Sequence, residues 1–216
     1  MFISICAFSV MDLIVKWSEN YPVGEVLFFR GFCGLIPLIF LIPKDKYLVF
    51  YKTEKPFLHF KRCAAGLVAI VAIFIALRKL PLATVVSISF AAPIFTTILS
   101  IFLLREKVGL YRWLAVVVGF IGILVISEPG FSSMNLYYIY PIIFCFGLSY
   151  VAITIKQLSS TEPVWLISFY FSLSIMLMSF FTINQGWLLP SIKDLFLLSL
   201  LGILGGFANL WLTQSY

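Results

Sequence analysis

The sequence predicts an all-α, polytopic membrane protein, and three observations carry that prediction. Apolar residues make up 62% of the 216 and charged residues only 11%, against about 45–50% and 25% in a soluble domain. Long uncharged runs recur at lengths that suit a hydrocarbon core of roughly 30 Å. No run alternates polar and apolar residues in the way a transmembrane barrel strand does. The net charge of +6 does not point to nucleic acid, because the lysines and arginines sit between apolar spans and not on one basic face. Cys6, Cys33, Cys63 and Cys145 lie in or against apolar segments, without metal-ligand or disulfide spacing. His59, the only histidine, reads as part of a polar loop, so no metal site, hydrolytic dyad or cofactor is expected. The first apolar run has neither a basic stretch before it nor a small-residue cleavage site, which argues against a removed signal peptide.

Eight spans follow in order. The first runs from Phe2 to Trp17, short for a crossing and interrupted by Asp12 and Lys16; a turn at Pro22 and Gly24 leads into the second, Glu25 to Ile42, which contains Arg30. The polar segment Pro43–Arg62 reads as a loop, and the third span runs from Cys63 to Leu77 with Ala65, Ala69, Ala72 and Ala76 on one stripe, a surface that lets backbones approach closely. The fourth, Leu82 to Leu104, has Pro93 near its middle. Proline donates no hydrogen bond and clashes with the carbonyl of Ser89, so a kink is expected whose freed backbone must face protein or a water-lined cavity. Ser89, Thr96 and Ser100 share a face of it; they either line a pathway or bond to their own backbone. The fifth span covers Leu110 to Ser127, the sixth Leu136 to Ile155, the seventh Val164 to Ile183, and the eighth begins at Leu195.

Weak internal similarity at an offset near 140 relates Lys16–Pro22 to Lys156–Pro163 and the run from Gly66 to that from Gly202. A five-span unit over residues 1–130, expected to be shortened at its start, would be followed by a second over 134–216, expected to stop after its third helix, that enters from the opposite side, an inverted repeat of the secondary-transporter kind. By that reading eight helices of an expected ten are present. Basic residues in the loops divide ten against four in favour of the even-numbered loops, which places those loops and the N-terminus on the cytoplasmic side.

Several of these segments resemble the drug/metabolite transporter superfamily, in its EamA-like branch of ten-helix permeases. They are the LPLA-to-Pro93 span, Leu104-Arg105-Glu106, the Trp113 span with Gly119 and Gly122, and Glu128-Pro129. Met11-Asp12 through Lys16-Trp17, Tyr21-Pro22-Val23-Gly24 and Phe28-Phe29-Arg30 are similar to the subgroup of riboflavin and S-adenosylmethionine uptake proteins. The resemblance implies a bilayer-embedded, inner-membrane permease that binds a small metabolite and works by alternating access. The rival readings are a membrane-embedded head-group transferase and a non-transporting assembly partner.

Charges inside spans cost about 2.5–3.5 kcal/mol each at the bilayer centre, so Asp12 and Arg30 head the candidates for substrate contact. They either pair across a hairpin, or Arg30 snorkels while Asp12 pairs with Lys16 one turn away. Ser87, Ser89, Pro93, Tyr150 and Asn209 add polar or freed-backbone groups within spans, Asn209 being either helix–helix glue or a ligand contact. Phe90 and Trp211 either stack on a planar substrate or face lipid.

Overall fold

The computed structural model describes residues 2–41, 53–105, 109–126 and 136–215. Among these the chain forms nine α-helices, two short 3-10 turns and no strand. The helices are α1 Phe2–Trp17, α2 Val23–Phe40, α3 Pro56–Lys79, α4 Leu82–Ser89, α5 Ala92–Leu103, α6 Leu110–Ile126, α7 Ile139–Leu158, α8 Val164–Phe180 and α9 Ile192–Gln214. Five segments are long and apolar enough to cross a bilayer: α2, α3, the α4–α5 pair, α7 with the turn before it, and α9. α8 is apolar over a shorter length. Large side chains such as Phe40, Phe57 and Phe102 stand exposed, the outward grease of a chain whose solvent is lipid. The all-α polytopic class is the predicted one.

The helices gather into two compact units, Met1–Cys63 with Ile155–Tyr216, and Ala64–Thr154. The division falls inside α3 and α7.

In the first unit, α2 packs against both α8 and α9, and α1 packs against α9. Glycine makes this possible. A Cβ on Gly202 of α9 would lie 2.3 Å from the Phe29 carbonyl oxygen, and one on Gly206 would lie 2.5 Å from the Gly34 carbonyl oxygen. On the other side of α2, a Cβ on Gly31 would fall 2.5 Å from the Met176 backbone nitrogen of α8. With no aqueous driving force between helices in lipid, such backbone approach is what dispersion attraction needs. The turn ends are tied as well: Tyr21 Oη donates to Asp194 Oδ2 at 2.7 Å, and the Leu188 amide donates to Glu25 Oε2 at 3.0 Å. Asp194, held by Ser191 and Tyr21, pushes the Tyr21 phenol up through that hydrogen bond.

In the second unit the alanine stripe of α3 meets α7, where a Cβ on Gly147 would lie 2.8 Å from Ala69 Cβ. The interruption expected at Pro93 is present, as a break in the helix and not a bend through a continuous one. The span is divided into α4 and α5 at Phe90–Ala91, and Pro93 falls in the first turn of α5. There its missing N–H is one that no helix would satisfy. The carbonyls near the break face protein: Cys145 Sγ donates toward Ile88 and Ser89 oxygens at 3.4 and 3.7 Å, and Ser149 Oγ lies 2.8 Å from the Ala92 oxygen. Ser89 and Thr96 donate to the carbonyls four residues back, and Ser100 to that of Thr97, so this hydroxyl stripe bonds to its own backbone.

Pro93→Ala is therefore expected to change stability by less than about 1 kcal/mol, because no helical hydrogen bond is restored. Ser149→Ala, which removes one of the two hydroxyls on the Ala92 carbonyl and leaves that of Thr96, is expected to cost roughly 0.5–1.5 kcal/mol. Denaturant unfolding of the two variants in one detergent checks the order.

Candidate functional site

The buried polar groups of the first unit converge where α1, α2, α3, α8 and the C-terminal half of α9 meet. α3 begins at Pro56, seven residues earlier than the sequence reading, with proline at its first position where the fixed φ suits a helix start. His59 and Arg62 are thus helical and not in a loop. They lie one turn apart on a buried face, at 3% and 1% exposure, while Lys61 turns outward and its Nζ sits 4.4 Å from the Phe57 ring. A run of lysines around one inward arginine reads as a loop, which hides Arg62 in the sequence.

Arg62 Nη2 donates to Asn209 Oδ1 at 2.9 Å, and its guanidinium lies 3.8 Å from the centre of the Phe171 ring of α8. Arg30 of α2 is buried to the same degree and lies over Gly205, where a Cβ would stand 2.5 Å from its Nε and Cζ. Gly205 and Asn209 are one turn apart on α9, so the two guanidiniums follow each other along that helix. They repel, and Asp12 of α1 supplies the opposing charge on Arg30. Ser4 Oγ, donating to the Ala208 carbonyl at 2.7 Å, seats α1 against the same stretch.

The hydrogen-bonding capacity of this cluster is unfilled. Nε and Nη1 of Arg30, Nε and Nη1 of Arg62, and Nδ2 of Asn209 are all buried without a partner. Among the described residues no direct ion pair joins Asp12 to Arg30, and Lys16 pairs with Glu19 at 2.6 Å in preference to Asp12. A buried charge without hydrogen-bond partners is costly. Five donors from three helices, with one half-buried carboxylate among them, form an environment short of one anion. A carboxylate, whose oxygens accept charge-assisted bonds from guanidinium N–H groups, is the anion whose chemistry fits.

Of the nine candidates, the structure brings together Asp12, Arg30 and Asn209 and adds Arg62, Gly205 and Phe171. Trp211 is half-buried on α9 and stacks on Phe207 at 5.3 Å. Ser87, Ser89, Phe90, Pro93 and Tyr150 belong to the second unit. Ser87 is buried, Ser89 and Tyr150 are half-buried, and Phe90 and Pro93 are exposed.

Comparison with known proteins places these features in a family. Residues 1–128 match the EamA-like transporter family. The chain is 30% identical over 220 residues to an S-adenosylmethionine uptake transporter of Rickettsia prowazekii, covering 99% of this chain and 73% of that protein. It is 29% identical to the protein of the same description in Rickettsia conorii, with the same coverage. It is 27% identical over 214 residues to a pseudopaline exporter of Pseudomonas aeruginosa, covering 97% and 74%. A multi-pass helical chain with these relatives is a membrane transport protein, and it belongs to the EamA-like transporter family.

Proposed function

We propose that this chain is an inner-membrane permease for a small carboxylate-bearing metabolite of the S-adenosylmethionine type, working by alternating access between two inverted five-helix repeats, with its N-terminus cytoplasmic. The observation that supports the substrate class is the cluster of unfilled donors on Arg30, Arg62 and Asn209, buried together in the first unit. S-adenosylmethionine carries one α-carboxylate for the guanidiniums and an adjacent ammonium for Asp12. Riboflavin, the other substrate suggested by the sequence resemblance, has no carboxylate to offer. The reaction read here is translocation and not chemistry: the same arginines that hold a carboxylate cannot serve as acid or base, since they stay protonated.

Thermal unfolding of the purified chain with each compound tests this. A ligand at about 100 times its Kd stabilises by roughly 2.7 kcal/mol, which for a chain of this size raises Tm by roughly 5 °C or more. S-adenosylmethionine is expected to give that shift and riboflavin none. The reverse pattern overturns the substrate assignment.

A further inference from the structure

Three residues before Arg62, on the same buried face of α3, lies a second polar group that the carboxylate site does not use. His59 is buried, and neither Nδ1 nor Nε2 has a hydrogen-bond partner. Its Nε2 stands 3.9 Å from Oε1 of Glu162, in the turn between α7 and α8, and its ring lies 4.8 Å from that of Tyr170 on α8. Glu162 is itself buried and accepts from Thr53 Oγ1 and from the Glu54 amide at 2.8 Å, just ahead of α3. The charged and titratable groups that face the imidazole are thus Glu162 from the α7–α8 turn, Tyr170 from α8, and Arg62 from its own helix.

A neutral imidazole here leaves one donor and one acceptor unfilled, and its distance to Glu162 is too long for a hydrogen bond. One proton taken from water by a ring-nitrogen lone pair changes both facts. The imidazolium has two N–H donors, and one of them can close on the carboxylate as a charge-assisted bond at roughly 2.7–2.9 Å. The start of α3 would then be drawn onto the α7–α8 turn. Arg62 opposes that step, being a like charge one turn away, until an anion neutralises it.

We propose that His59 and Glu162 form a proton-binding latch, closed by protonation of His59 and linked to the occupancy of Arg62. The latch stands on its own geometry; its link to Arg62 rests on the carboxylate reading above. A carboxylate on Arg62 removes the repulsion on the imidazolium, so substrate binding promotes proton binding. Linkage makes the effect reciprocal. Substrate and proton then enter the same state of the protein together, which is the requirement for proton-coupled symport. Coupling between binding sites is typically 5–150-fold, and S-adenosylmethionine should bind roughly tenfold more tightly at pH 5.5 than at pH 8.

The chain has one histidine, so 15N-histidine labelling in lipid nanodiscs reports His59 alone. The ring resonances are expected to titrate in one step, to require a lower pH in Glu162→Gln, which keeps the acceptor oxygen but loses the charge, and to titrate at a pH about one unit higher with S-adenosylmethionine bound. His59→Gln should abolish the tightening of binding at low pH. A titration unchanged in Glu162→Gln, or a ring that stays neutral throughout, overturns the latch. If S-adenosylmethionine binds yet leaves the titration unmoved, the coupling is overturned and the carboxylate site stands. If it binds at no pH while Glu162 still governs the titration, the latch is supported and the carboxylate reading is what fails.

Discussion

The Arg62→Met, Asn209→Leu double variant is expected to lose S-adenosylmethionine binding by roughly 10–100-fold while remaining folded. Hydrogen bonds to charged groups contribute about 1.5–3 kcal/mol each, and every 1.4 kcal/mol is a factor of ten in Kd. The stability of the ligand-free variant should move the other way. Arg62 and Asn209 pair at 2.9 Å but leave Nε, Nη1 and Nδ2 unfilled in a buried setting. Replacing buried charge by apolar side chains of similar volume is often neutral or stabilising by about 1–4 kcal/mol. The two introduced side chains, a methionine on α3 and a leucine on α9, would fill the same space against Phe171. Binding lost with stability kept marks a site held in readiness for a ligand. Binding and stability lost together would mark a structural bridge. Calorimetric titration and thermal unfolding on one preparation separate the two, and Arg62→Lys, which keeps the charge but not the planar fork, should fall between.

The second large effect is expected at Gly202. Its α9 backbone approaches α2 so closely that a Cβ would lie 2.3 Å from the Phe29 carbonyl oxygen and 2.5 Å from Cys33 Cβ. The first obstacle is backbone and cannot swing aside, so even Gly202→Ala forces α2 and α9 apart. Overpacking of this sort costs typically 1–3 kcal/mol and occasionally more, and the displacement carries Arg30 away from Gly205. Gly202→Ala is expected to lower the yield of monodisperse protein and to weaken ligand binding. Gly186→Ala serves as a contrast: nothing lies within 4 Å of its Cβ position, although its φ of +81° still costs strain. Size-exclusion profiles and Tm of the two variants should differ clearly, with the Gly202 variant the worse.

Much of this was legible in residue order. Composition and run length gave the helical membrane class, and Arg30 and Asn209 declared themselves as polar groups in apolar runs. Both lie in the buried cluster. The alanine stripe of α3 was legible because four-residue spacing is a helix-surface property, and Gly147 meets it. Pro93 marked the interruption but not its form, because a proline in the middle of a long apolar run looks the same whether the helix bends through it or stops and restarts. Only the backbone at Phe90–Ala91 distinguishes these, by placing Pro93 in a first turn where it has nothing to break. Arg62, His59 and Glu162 were hidden for another reason. They sit among lysines and in a turn, where charge normally means solvent, and their inward placement depends on partners about 100 to 150 residues away in the chain. Pro56 was the usable signal: a helix begun there puts His59 and Arg62 on one face.

If the buried guanidiniums of α2 and α3 hold a carboxylate, removing that group from the ligand must weaken binding. Competition of S-adenosylmethionine against its decarboxylated analogue, which keeps the sulfonium and the adenosine but lacks that one group, isolates the contact. The analogue is expected to bind the native chain roughly 10–100-fold more weakly, and the difference is expected to shrink in the Arg62→Met, Asn209→Leu variant, where Arg30 alone remains to meet the carboxylate. Equal affinity of the native chain for both compounds would mean that the guanidiniums hold no carboxylate.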